Sequence, residues 1–102
     1  TDEKAWRKVM KDGALPLLRE ALDSMREADS FEPSELEARL GRILAEKDVK
    51  PGKLYQPIRV AITGTSVSPG IFESLSVLGR DRALERMERA VERLSAESLD
   101  AE

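Results

Sequence analysis

The chain contains no cysteine and no histidine. Without cysteine there is no disulfide framework, no thiolate metal site and no thiol nucleophile. Without histidine, zinc chemistry, imidazole acid–base catalysis and a side-chain switch near neutral pH fall away. Aromatic residues are scarce, at 4% of 102 residues against 40% hydrophobic overall, so the core has to be aliphatic, stable but marginal. No apolar run is long enough to span a bilayer, and no basic-then-hydrophobic signal peptide opens the chain. The expectation is a soluble, cytoplasmic protein. Because the chain begins at Thr1 rather than methionine, it also reads as a piece cut from something longer.

Other signatures are missing as well. There is no phosphate-cradling GxxxxGK[ST] loop and no dinucleotide fingerprint. Ser66, Ser68, Ser74 and Ser76 have no histidine to activate them, and the carboxylates lie mixed with Arg and Lys along helix surfaces. The chain by itself therefore reads as non-catalytic, with no metal or cofactor site of its own. Strand-like alternation is almost absent: Val60-Ala61-Ile62-Thr63 is the only candidate, and it is too short.

What is present is helical periodicity. Thr1 can cap a first helix with Asp2 and Glu3 in its first turn and Trp6, Val9 and Met10 on its apolar side, Trp6 reading as a core anchor. Asp12-Gly13 ends it, and Pro16 suits the first turn of a second helix carrying Leu15, Leu18, Leu22 and Met25 to about Ala28. Phe31, in the turn over 29–33, is placed to staple two helices. Leu36, Leu40, Ile43 and Leu44 define a third helix, closed by Asp48 and by Lys50-Pro51-Gly52. Gly41 inside it costs about 1 kcal/mol against alanine unless it permits close packing. A fourth helix runs from about Gly52 to Thr63, with Pro57 implying a late start or a bend. Ile71, Leu75 and Leu78, with Phe72 beside them, make a fifth that Gly79 ends. The sixth spans about Asp81 to Ser95 with Leu84, Met87, Val91 and Leu94 at heptad-like spacing. Its other face alternates Arg and Glu, such as Glu85 with Arg89, and reads as a solvated surface. The tail over 96–102 is expected to fray. No repeat, low-complexity tract or linker divides residues 1–102, so the expected fold is all-α, one compact bundle of about six short helices.

Charge is unevenly distributed. The chain has 17 basic and 20 acidic residues, yet Val49 through Phe72 contains Lys50, Lys53 and Arg59 and no acid. A basic island in an acidic protein suggests a localised anionic partner. On the fourth helix Leu54, Ile58, Ala61 and Ile62 fall on one side and Lys53, Gln56 and Arg59 on the other. Gly64 ends that helix, and Ser68-Pro69-Gly70 reads as the next start, with Ser68 as cap and Pro69 at the first helical position.

The run GKLYQPIRVAITGTSVSPGIFESLSVLGRDRALERMERA resembles the C-terminal end of bacterial-type glutamyl-tRNA synthetases, in the all-helical anticodon-binding part of these class I aminoacyl-tRNA synthetases. The matching pieces are Gly52-Lys53, Gln56-Pro57-Ile58-Arg59, Ala61-Ile62-Thr63-Gly64, Ser68-Pro69-Gly70-Ile71-Phe72-Glu73 and Leu78-Gly79. The strong likeness covers 52–90; residues 1–48 agree only in helical pattern. Tyr55 departs from the pattern, in a place where an aliphatic residue or Met is expected, and Ser68 stands where Thr is also common.

The resemblance implies a domain that binds the anticodon loop of a glutamate-accepting tRNA while a separate catalytic domain, with ATP and Mg, performs aminoacylation. It implies that positions Arg59, Ser68, Pro69 and Ile71 contact the first and middle anticodon bases. The chemistry is suitable: a planar guanidinium can bond base edges or stack on them, and RNA loops present unpaired bases. Gln56 can also bond RNA, while Lys50 and Lys53 would hold phosphates without reading sequence. The expected partners are that tRNA and the rest of the synthetase in the same chain, as a monomer, with no membrane and no DNA. One rival reading is a helical protein-interaction module that docks a partner along helices five and six through Leu84, Met87, Val91 and Leu94. A DNA-binding helix-turn-helix over Ala61–Leu78 fits less well, because its second helix is apolar rather than basic.

Overall fold

Six α-helices and no strand carry the described residues of the computed structural model, which are 3–10, 13–63 and 70–100, with side chains through Glu97. The helices are α1 (Glu3–Val9), α2 (Ala14–Arg26), α3 (Pro33–Lys47), α4 (Pro51–Thr63), α5 (Ile71–Leu78) and α6 (Arg80–Asp100).

Backbone chemistry sets several of the boundaries. Gly13 takes a left-handed conformation (φ 92°) at the start of α2, which an L side chain would resist. Asp48 closes α3 with φ 53° and ψ 50°, its N–H donating to the Leu44 carbonyl, since Asp tolerates this region better than most residues. Gly79 ends α5 at φ 86°, with its N–H on the Leu75 carbonyl at 3.1 Å. Lys50-Pro51-Gly52 is part of a helix start rather than only a stop. Pro51 is the first residue of α4, where its missing N–H costs nothing, and the Lys50 carbonyl accepts from Lys53 N–H at 3.0 Å.

The centre of the molecule is α4, which packs against α1, α2, α3, α5 and α6. Leu54 and Ile58 are fully buried, and Val60 and Ile62 are 1% exposed. The helix passes through Pro57 unbroken; the proline removes one backbone bond, but its ring lies wholly in the core. The apolar side of α4 is thus wider than the stripe of Leu54, Ile58, Ala61 and Ile62, because Pro57 and Val60 are buried as well. Ala61 is only partly buried.

The stripe on α6 is spent inside the molecule. Ala83, Met87, Ala90 and Leu94 are buried, and Leu84 and Val91 pack at the edge of the core. α6 is helical to Asp100, and a tertiary contact holds it at Glu97. Trp6, 4% exposed, buries its ring in the core and donates its Nε1–H to Glu97 Oε1 at 2.8 Å. The Arg93 guanidinium lies 4.0 Å from the centre of the same ring and bonds Glu97 Oε2 at 3.0 Å. At the opposite end, Arg80 lies 5.3 Å over Phe31 and donates to the carbonyls of Met25, Arg26 and Ala28. Arg39 adds bonds to the Ser24 and Glu27 carbonyls at 3.3 and 3.0 Å. The carbonyls at the end of α2 are in this way held by two guanidinium groups. Around Gly41, by contrast, no atom lies within 4 Å of an added β-carbon, so close packing does not explain that glycine.

Candidate nucleic-acid interface

Spacing puts Lys53, Gln56 and Arg59 in one row along α4, three residues apart. Lys50 and Lys53 are exposed at the helix start, while Gln56 and Arg59 are partly buried. The burial has a chemical consequence. Gln56 Oε1 and Arg59 Nε are both shielded from solvent with no hydrogen-bond partner among the described residues. Four arginines among the described residues are partly buried: Arg39, Arg59, Arg80 and Arg93. Arg39, Arg80 and Arg93 are engaged by carboxylates or carbonyls. The Arg59 side chain has no such partner among the described residues, in a chain where acids outnumber bases. A half-sheltered guanidinium without an acceptor favours a ligand that supplies one, either a phosphate or a base edge.

The start of α5 comes close to this row through an aromatic pair. Tyr55 and Phe72 meet edge-to-face, with ring centres 5.4 Å apart and planes at 84°. Tyr55 lies one turn before Arg59 on neighbouring surface, so the first turn of α5 stands beside the Gln56–Arg59 row. This pairing also gives Tyr55 a packing role at its unusual position. Burial, with the nearby charge of Glu37, pushes its phenol above the ordinary value of 10.0.

The start of α5 differs from the expectation. Gly70 occupies the N-cap and Ile71 is the first helical residue, later than a Ser68 cap would place it. The Gly70 carbonyl accepts the backbone N–H and the hydroxyl of Ser74 at 3.0 and 3.1 Å. The Glu73 carboxylate folds over Gly70, 2.7 Å from where a β-carbon would sit. An acid therefore already complements the positive end of this helix, which argues against a phosphate there. Ile71 is 3% exposed and belongs to the core, so its side chain anchors α5 and is not a face for a base. Ser68 and Pro69, like Gly64 and Ser66, lie outside the described residues.

On the far side of Lys53 and Gln56 an open cleft of about 910 Å³ reaches across to the end of α1, the start of α2 and the end of α3. Lys8 and Lys47 share its edge with Lys53, and Glu20 lines it. Sequence reasoning did not find Lys8, Lys47 and Glu20 as a group. Lys8 and Lys47 sit in last helical turns, where a basic residue is already explained by the helix dipole. A smaller hollow between α4 and α6 contains Arg86, Arg89 and Arg93, but Arg86 is held by the Ile62 carbonyl and the other two by glutamates. No group of three or more acidic, histidine or cysteine side chains able to hold a metal occurs among the described residues, and no helix among them is long and apolar enough to cross a membrane.

Residues 1–91 match the family model described as the anticodon binding domain. The chain belongs to that family. The match extends over the first half, where the sequence alone gave only a helical pattern. Among curated proteins, the chain is 46% identical over 89 residues to a glutamate–tRNA ligase of Thermus thermophilus, covering 87% of this chain and 19% of that protein. It is 43% identical over 88 residues to a glutamate–tRNA ligase of Mycolicibacterium vanbaalenii, covering 85% and 18%. The crystal structure of a glutamate tRNA ligase from Elizabethkingia meningosepticum superposes with a TM-score of 0.84 at 22% identity, over 91% of this chain and 18% of that one. This last likeness establishes the fold. The anticodon-binding chain thus spans about a fifth of the length of the relatives it matches.

Proposed function

We propose that this chain is the part of a glutamate–tRNA ligase that binds the anticodon loop of a glutamate-accepting tRNA, holding it in register while a separate ATP- and Mg-dependent catalytic domain joins glutamate to the 3′ end. The observation that carries the reading is the Arg59 guanidinium: partly buried, without a partner among the described residues, beside Gln56, and set in the acid-free stretch of a chain that belongs to the anticodon-binding family.

The work of such a domain is positioning and discrimination. Arg59 bonds a base edge or stacks on its plane, and Gln56, one turn earlier, offers both an acceptor and donors. Lys50 and Lys53, exposed at the start of α4, hold phosphates. Ser68 and Pro69, which precede α5 in the sequence, join the reading only through the resemblance. Ile71 anchors the start of α5 from the core. The parent protein is proposed to work in the cytoplasm as a monomer.

The protein-docking alternative loses its support, because the α6 stripe it needed is packed against the rest of the fold. Val77, 88% exposed, is a lone residue and not a stripe. The deciding experiment compares Arg59→Ala with the unmodified chain on a glutamate anticodon stem-loop and on the same stem with a scrambled loop. The expected result is a loss of roughly five- to a hundredfold on the cognate loop, the value of a well-made bidentate contact, and a smaller loss on the scrambled one. Equal losses would reduce Arg59 to a phosphate contact. Binding that is insensitive to salt would contradict the RNA reading altogether.

A further inference from the structure

The open cleft of about 910 Å³ between the ends of α1 and α3 and the starts of α2 and α4 has two unlike parts. The wall that solvent reaches is apolar: Pro16 is exposed, and Val9 and Val49 are partly exposed. The edge is basic. Lys8, Lys47 and Lys53 stand exposed on it, one each from α1, α3 and α4. Among the described residues that line the cleft, Glu20 is the single acid, and Lys47 Nζ holds its Oε1 at 3.5 Å. The ammonium groups of Lys8 and Lys53 have no carboxylate partner among the described residues. In a chain with 17 bases and 20 acids, this edge reverses the overall sign of charge. A phosphate backbone would answer the lysines and leave the apolar wall wet. A neutral apolar ligand would cover the wall and leave the lysines unanswered. A peptide with carboxylates on either side of an apolar residue does both.

We propose that this cleft docks a short acidic segment of a separate protein. One apolar side chain of the segment sits against Val9, Pro16 and Val49, and its flanking carboxylates reach Lys8, Lys47 and Lys53. Such a partner is additional to RNA, and only its competition with RNA rests on the reading above. Lys53 belongs both to this edge and to the row with Gln56 and Arg59. A permanently docked neighbour would withhold that lysine from RNA at all times, so the occupant is one that comes and goes. The docked segment and the anticodon loop share a lysine and carry like charge, so each weakens the other by the same factor.

The test uses the 102-residue chain and three capped synthetic pentapeptides. The first has a leucine between two pairs of glutamates; in the second alanine replaces the leucine, and in the third glutamines replace the glutamates. On adding the first peptide, the NMR amide signals of Val9, Leu17, Val49 and Gly52 shift while those of α6 stay in place. The alanine and glutamine peptides each bind at least about fivefold more weakly, having lost the apolar anchor or the charge. Lys8→Glu, an exposed change on α1, weakens the first peptide by roughly tenfold and leaves stem-loop binding and thermal unfolding unchanged. Saturating peptide weakens binding of the glutamate anticodon stem-loop by about threefold. Unmoved cleft amides, equal binding of all three peptides, or an unchanged affinity in Lys8→Glu would overturn the docking site and leave the reading of Arg59 intact. Cleft amides that move with the stem-loop and not with the peptide would also overturn it, giving these lysines to RNA. Peptide that fills the cleft without weakening the stem-loop would overturn the competition. A stem-loop that fails to bind while the peptide binds would overturn the RNA reading and leave the docking site standing.

Discussion

Two edges of this molecule use the same residue types in opposite ways. Where α1 meets α6, Arg93 stacks on Trp6 and is held by Glu3 and Glu97, and Glu97 also takes the indole N–H. Every polar group of that cluster has a partner within the fold. Along α4, Arg59 is partly buried as well, yet its Nε and the neighbouring Gln56 Oε1 have none among the described residues. The first edge is structural: its charges are used up in holding helices together. The second leaves sheltered hydrogen-bonding capacity open, a cost to folding that binding can recover. The difference separates an arginine that serves the fold from one available to a ligand.

The comparison breaks most visibly at Trp6. Trp6→Ala should lower unfolding free energy by about 3–5 kcal/mol, measured by urea denaturation, and should release the C-terminal turns of α6. Arg59→Ala should leave unfolding within about 0.5 kcal/mol of the unmodified chain while costing about 1–3 kcal/mol of cognate loop binding. Arg93→Ala should do the reverse, costing about 1 kcal/mol or more of stability through the lost cation–π contact and hydrogen bonds, with little change in loop binding. If Arg93→Ala and Arg59→Ala behave alike in both assays, the distinction between the two edges fails.

Smaller effects sharpen the picture. Gly41→Ala should stabilise the chain by about 1 kcal/mol, since the added methyl meets nothing and the helix gains propensity. A melting temperature that falls would reveal a contact at that site. The raised pKa of Tyr55 means that the folded state favours the neutral phenol. Its contribution is complete below pH 10 and declines as pH rises through the higher folded value. Tyr55→Phe should therefore flatten the stability profile above pH 10, and an unchanged alkaline slope would deny that the ring is sheltered.

Much of the fold was legible because local chemistry marked it. Gly13, Asp48 and Gly79 each sit where a backbone turn needs their tolerance, and the periodic leucines mark the buried faces. Two features were not legible, for a physical reason. The letters Lys50-Pro51-Gly52 serve equally to stop one helix and to start the next. The bond from Trp6 to Glu97 near the end of α6 joins positions some ninety apart, which no local pattern reveals. In the candidate site, the Lys53–Gln56–Arg59 row was readable from three-residue spacing within one helix. Ile71 answered two patterns at once, and burial assigns it to the core. The cleft with Lys8, Glu20 and Lys47 was invisible because its walls come from four helices, and no spacing along the chain brings them together.

The most direct measurement follows the arginine side chains themselves. In ¹⁵N NMR of the chain titrated with the glutamate anticodon stem-loop, the Arg59 Nε–H resonance should shift and become protected from exchange, while that of Arg93 stays in place. A shift at Arg93 with Arg59 unmoved would contradict the assignment of the open edge to RNA.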